Sequence, residues 1–445
     1  MHTRLRLKEP VPVYLLLLAS FLGAFGFLDF YSVLHVTELS ILCIIVLFSW
    51  LGFSTKMDKR AVLLNLFTLC GLMSFVLVYA LVFTARTGAP LLPSVLAQRY
   101  YAFILIVPVV YMLYRSGWRL KDFQRVFVLA AVLAVLSRVV VDVIPSSTTS
   151  AFSPFIDPPR EFLIFKQDTV YGEASFLLRR FDASALFVTL YFGRQLLKPK
   201  NLASFGFCLA ITTLSTTILF VNAPRTLLAS ALVALLLYSV VLSRPDRSKL
   251  FLILLPLLVL LIGMYASQLN SVVQVVFGGD LSYTTRVQSA QKAWEVISQY
   301  PLLGFGQESA QSISYHDLFG EKFYPSDIGL LGLTFQWGLV GVILYLFFSL
   351  WLVVNLLKLL WAYTGGTGKI ESREQVFLWG LFVVCLTFAL ATPVQTRFVK
   401  TEGIAIAALS LGLVLSYKRG LRSEQRRNLQ SRTQPVIDGQ VERHI

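Results

Sequence analysis

Apolar runs of roughly 17–25 residues, the length that carries an α-helix across a bilayer, recur along the whole chain. They predict spans over 12–30, 36–53, 61–84, 100–114, 126–144, 182–197, 202–221, 226–243, 250–268, 328–360, 375–393 and 403–417. The run 328–360 is too long for one simple span and is expected to begin with a partly inserted helix. The expected fold is therefore all-α, a polytopic integral membrane protein of about twelve transmembrane helices. Residues 1–445 form a single membrane domain in this scheme, and no solenoid-type repeat is visible. The first run, from Val11 to Phe30, is longer than the apolar stretch of a signal peptide and has no small-residue cleavage site after it.

Composition sharpens this picture: 56% of residues are hydrophobic and only 14% are charged. The mean hydropathy of +0.70 excludes an ordinary soluble domain. A formal charge of +15 would suit nucleic acid, but the placement of that charge argues for a membrane instead. Segments 1–10, 54–60, 115–125, 194–201, 244–249, 358–374 and the tail from Lys418 hold 26 of the 39 basic residues. All of these lie on one side of the expected topology, which the positive-inside rule makes the cytoplasm, with both termini there. The basic tail 418–445 reads as disordered. Two long segments, 145–181 and 269–327, then lie outside, the second with an amphipathic helix. Cys43, Cys70, Cys208 and Cys385 sit within apolar runs and read as packing residues, leaving the outer loops free of disulfides.

Twelve basic residues remain on the outer side, among them Arg86, Arg99, Arg179, Arg180, Arg225, Arg286, Lys292, Arg397 and Lys400. Any one of them can snorkel to headgroups. As a set they suit a phosphate or pyrophosphate, which arginine binds bidentately. Arg225 lies in the short turn Val221-Asn-Ala-Pro-Arg-Thr226, where Pro224 suits a helix start and a cation at the N-terminus gains only if an anion arrives. Arg286 follows the cap candidates Ser282-Tyr-Thr-Thr285, and Val287, Ala290, Trp294 and Ile297 form an apolar stripe at helical spacing. Pro301-Leu-Leu-Gly-Phe-Gly306 then makes a turn whose glycines would admit substrate or simply pack. In Tyr324-Pro-Ser-Asp-Ile-Gly329, Asp327 either caps the following helix or serves as a general base. Arg138 and Asp142 read as an intrahelical pair, and His316 with Asp317 as solvated surface. No histidine cluster, phosphate-binding glycine loop or outer Asp-x-Asp pair is present, so neither a metal nor a cofactor is expected.

The order of these features resembles the O-antigen ligase and O-antigen polymerase (Wzy-type) superfamily over about residues 170–360. It is carried by Arg179-Arg-Phe-Asp-Ala-Ser-Ala-Leu186, Asn222-Ala-Pro-Arg-Thr226, Arg286 with Trp294, Pro301-Leu-Leu-Gly-Phe-Gly306, and Ser326-Asp327 ahead of Gly338-Leu-Val-Gly341. The resemblance implies an enzyme of the bacterial inner membrane acting at the periplasmic face on undecaprenyl-pyrophosphate-linked glycan donors and acceptors, with membrane lipids around it. It also leaves room for a chain-length regulator as partner. It assigns pyrophosphate binding to Arg225 and Arg286, supported by Arg179, Arg180 or Arg397, and acceptor activation to Asp327. Ligases of the superfamily carry a histidine at that place, so Ser326-Asp327 looks more like a polysaccharide polymerase. The alternatives are a ligase moving finished glycan to lipid A core or protein and, in a different class, a lipid-linked oligosaccharide flippase or transporter. Against the latter stands the scarcity of charged groups within spans.

Overall fold

The computed structural model describes residues 10–27, 36–54, 58–143, 182–199, 201–222, 225–239, 281–308, 315–320, 323–325, 328–364, 370 and 372–433. Among them the chain is helical and forms no strand. The helices are α1 (Pro10–Ala24), α2 (Val36–Ser54), α3 (Lys59–Thr87), α4 (Leu91–Ala97), a 3-10 segment (Arg99–Leu105) continuing into α5 (Ile106–Arg115), α6 (Leu120–Val143) and α7 (Asp182–Leu196). They continue with α8 (Leu202–Asn222), α9 (Arg225–Leu237), α10 (Leu281–Gln299), α11 (Tyr315–Phe319), α12 (Gly329–Tyr363), α13 (Arg373–Ala391) and α14 (Thr401–Thr433). A described helix covers much of each expected span except 250–268, which lies outside the described residues, as do 28–30, 144 and 240–243 of the spans 12–30, 126–144 and 226–243. Five helices, α2, α3, α8, α12 and α13, are long and apolar enough to cross a bilayer, and α4 with the segment through Arg115 makes a sixth bent by 50°.

Burial explains how these helices divide their work. From Val376 to Ala391 every residue of α13 is buried, so an all-apolar helix sits at the centre of the bundle. Around it α2, α3 and α8 leave Phe53, Phe67, Leu202 and Phe207 exposed, a surface that only lipid can solvate. The chain is a membrane protein.

The basic linkers meet at one end of this bundle, as charge sorting expects. Arg115 pairs with Asp58, which also caps α3 by accepting from the Ala61 amide. Tyr14 stacks on Trp118 at 4.4 Å. Tyr417 lies 4.5 Å from the Tyr363 ring and 5.8 Å from the Tyr114 ring. The described residues Tyr14, Asp58, Tyr114, Arg115, Trp118, Tyr363 and Tyr417, which lie in or beside these segments, thus gather at one end.

At the opposite end α12 is broken. Gly338 has φ 66° and ψ −175°, a backbone region that is essentially glycine-only. The break is filled by 301–306. Phe305 and Gly306 amides donate to the Phe335 and Gln336 carbonyls at 2.5 and 3.0 Å, while the Leu339 and Val340 amides donate to the Pro301 and Leu302 carbonyls at 2.8 and 3.3 Å. The Tyr79 hydroxyl donates to the Trp337 carbonyl at 3.0 Å. Five backbone groups beside the kink, the Phe335, Gln336 and Trp337 carbonyls and the Leu339 and Val340 amides, therefore find partners outside the helix, as a broken apolar helix requires. A Cβ on Gly304 would stand 2.4 Å from the Gly338 amide nitrogen, and one on Gly338 would stand 2.1 Å from the Leu302 carbonyl. The glycines of the 301–306 turn permit this close approach of backbone to backbone, which is the packing reading of them.

Candidate functional site

Several of the cations expected on the outer side are met by the protein itself. Arg99 bonds Glu38 at 2.6 Å, Lys292 donates to the Phe319 carbonyl, and the Arg86 guanidinium lies 3.9 Å above the Tyr300 ring. They join α2 to the 3-10 segment, α10 to α11 and α3 to the end of α10, leaving Arg225, Arg286 and Arg397 to be placed.

Helix α9 begins at Arg225 itself, so its backbone stands at a helix N-terminus as expected. Its side chain lies outside the described residues, as do Arg179, Arg180, Ser326 and Asp327. Beside it the Thr226 hydroxyl oxygen is buried with no hydrogen-bond partner in the protein. Tyr238, just past α9, packs on Trp379 and Phe382 at 6.1 and 6.0 Å. Since α13 extends less than two turns before Trp379 yet packs along α9, the two helices run antiparallel. At about 1.5 Å per residue, Arg225 comes level with the Ala391 end of α13.

Arg286 sits one turn deeper than expected. Helix α10 starts at Leu281, so Ser282 to Thr285 lie inside it and Arg286 falls in its second turn rather than its first. The buried face is also turned by about one position: Ser289, Ala293, Val296 and Ile297 are covered, whereas Trp294 is 62% exposed. Three residues past Arg286, the Ser289 hydroxyl accepts from the Tyr324 amide at 3.2 Å. This fixes the Arg286 turn beside the segment that leads directly into Asp327. The Arg286 Nε is buried with no hydrogen-bond partner in the protein, and an unmet charged donor of this kind is costly unless an anion meets it.

Arg397 is 4% exposed and donates from Nη2 to Gln395 Oε1 at 2.8 Å. Its segment touches the start of α12, because a Cβ on Gly329 would stand 2.2 Å from the Pro393 carbonyl. The cap position of α12 is occupied by Ile328, without a side-chain hydrogen bond. Five residues past Arg397, Glu402 receives the Ala183 amide on Oε2 at 2.9 Å and the Ser184 hydroxyl on Oε1 at 3.4 Å. A carboxylate thus holds the N-terminus of α7, the helix that Arg179 and Arg180 precede. The described backbone at Arg225, Arg286 and Arg397, the start of α7 and the residues flanking Asp327 therefore lie at the end of α12 and α13 away from the basic linkers.

Beside this convergence lies a polar group that sequence reasoning missed. The Glu308 carboxylate accepts the Tyr315 amide on Oε2 at 2.5 Å, and its own amide donates to the Tyr315 hydroxyl at 3.1 Å. That hydroxyl donates in turn to the Gly306 carbonyl at 2.5 Å. Next to it Gln307 bonds the Tyr100 and Tyr101 hydroxyls. Burial pushes the Glu308 carboxyl above its ordinary range, and the nearby Asp317 carboxylate adds to the rise, against lowering by the Tyr315 amide and His316. The one signal available was a Gln-Glu pair directly after a glycine turn, which marks a loop and not a buried acid. His316 also departs from its solvated-surface expectation, since its ring packs edge-on against Tyr324 at 4.8 Å. Among the described residues no three His, Cys, Asp or Glu side chains group together.

Against known proteins, a family model described as O-antigen ligase matches residues 207–346, from within α8 through the break in α12. The match supports the superfamily resemblance drawn from the motifs. No curated protein matches the chain.

Proposed function

Taking the chain as a member of the O-antigen ligase and polymerase superfamily, we propose that it is a polysaccharide polymerase of the bacterial inner membrane, with its site on the periplasmic side. It transfers a growing glycan from undecaprenyl pyrophosphate to a sugar hydroxyl of a lipid-linked repeat unit. The acceptor oxygen attacks the anomeric carbon of the donor sugar, and the bond from that carbon to the pyrophosphate oxygen breaks. The pyrophosphate leaves with the electron pair, and the hydroxyl proton passes to Asp327. Arg225 and Arg286 neutralise the charge that develops on the leaving group, assisted by Arg179, Arg180 and Arg397. Charge stabilisation and positioning carry most of the rate in such a site.

The observation that carries this reading is the buried, unmet Nε of Arg286 on a turn fastened beside the start of α12. Arg286→Ala and Arg225→Ala, expressed at wild-type levels, are expected to shorten the glycan ladder on gels to single repeat units. Loss of one such donor lowers the rate on the order of 10²–10³-fold. Normal long chains in either variant would overturn the assignment.

The ligase reading is favoured by the description of the matched family. Products separate the two: a chain lacking ligase activity accumulates lipid-linked polymer, whereas one lacking polymerase activity yields single repeat units on the acceptor.

A further inference from the structure

At the end of the bundle where the basic linkers gather, a cavity of about 180 Å³ opens between the C-terminal end of α7, the start of α8 and the start of α13. Arg194, Lys198 and Arg373 line it together with Gln195, Ser204 and Ser372, and among the described residues no carboxylate lines it. None of the three cations forms an ion pair among the described residues. Like charges gathered in one concavity repel, and an anion entering between them would relieve that repulsion. The Gln195 side-chain amide, beside the Tyr191 hydroxyl, is buried in the wall of the cavity. The positive end of α13 adds to the field, with Ser372 at its cap. The volume is several times what a single water needs and has room for a tetrahedral anion with its substituents.

We propose that this cavity binds the phosphate of an anionic phospholipid headgroup. The lipid source is favoured by what adjoins the cavity. Leu197 and Leu202 are 67% and 84% exposed, and Phe205 and Leu209 continue an exposed apolar face along α8. A lipid whose headgroup enters between Arg194 and Arg373 lays its acyl chains on that face. The site lies at the opposite end of the bundle from Arg286 and does not depend on the activity proposed above. Free phosphate shares the headgroup's chemistry and is the other source to be tested.

The experiment uses the full chain purified in mild detergent, with retained lipid read by native mass spectrometry. Phosphatidylglycerol is offered against phosphatidylcholine, and inorganic phosphate is added as competitor. The wild-type protein is expected to retain phosphatidylglycerol preferentially. Arg194→Gln, Lys198→Gln and Arg373→Gln combined should weaken that retention roughly a hundredfold, from about one cationic contact's worth of attraction per charge removed. Ser204→Phe, which fills the cavity and keeps all three cations, should weaken it as well while leaving the protein monodisperse. If inorganic phosphate binds in place of lipid and both variants lose it, the ligand is a free phosphate and the lipid assignment is overturned. Unchanged retention in the triple variant overturns the proposal. So does unchanged retention in Ser204→Phe, since surface charge without the cavity would then suffice, and so does a wild-type protein that prefers neither probe.

Discussion

Glu308 shows what a single side chain adds to the outer end. Its carboxylate is held between Tyr315 and the loop backbone, and burial disfavours the ionised form. Its folded pKa is therefore above the unfolded one, so the stability it contributes is complete below the ordinary carboxylate range and is lost as pH rises through the raised folded value. Glu308→Gln keeps an oxygen for the Tyr315 amide and removes the ionisation. Its melting temperature is expected to be nearly flat across that window and to equal or exceed the wild-type value at neutral pH. Parallel pH profiles of the two proteins, followed by tryptophan fluorescence, would show that Glu308 does not titrate in the fold. Arg225 and Arg286 were legible beforehand because an arginine at a short turn or a loop helix stands out against apolar surroundings. Glu308 was not, because a glutamate in a long polar loop looks solvated until the aromatic cluster of Phe305, Tyr315, Phe323 and Phe335 closes over that loop.

Among the elements, α12 and the 301–306 turn form one unit although they are separated by the whole of 307–328. The length of the apolar run 328–360 already announced that one straight helix could not use it all. Where it breaks depends on a partner that sequence periodicity does not reveal. Gly338→Ala is expected to cost about 1–3 kcal/mol from its backbone conformation alone, and the clash with the Leu302 carbonyl adds to that. The variant should melt several degrees lower in detergent. Gly71→Ala is the control, since a Cβ there meets nothing within 4 Å and alanine is the better helix former. Equal melting of Gly338→Ala and Gly71→Ala would remove the structural role given to the break. The same unit explains the stripe on α10: its register follows the aromatic cluster it must cover, so Ala293 and Val296 turn inward and Trp294 outward.

For the molecule as a whole, the sorting of basic residues predicts which loops share a side, and the contacts of Tyr14, Asp58, Tyr363 and Tyr417 gather those linkers at one end. Facing of that end towards the cytoplasm has a direct test. In a background without the native cysteines, Ser298→Cys is expected to react with an impermeant maleimide from the periplasmic side, and Lys121→Cys only after the inner membrane is opened. Both positions are exposed. The reverse labelling would invert the topology and move the proposed site to the cytoplasm.

Residue order by itself determined that this chain is helical, that lipid solvates most of it, and that its basic linkers share a side. These properties follow from transfer free energies summed over twenty-residue windows and from charge counts, which need no knowledge of neighbours. It also singles out Arg225 and Arg286 as candidates, because an isolated arginine beside an apolar run is a local feature. Only the tertiary structure decided that the Gly304 turn completes a broken helix, that Glu402 holds the start of α7, and that Arg194, Lys198 and Arg373 face one cavity. Each of these joins residues far apart in the chain, and such pairings are selected by packing and by the need to satisfy every buried polar group, not by local pattern.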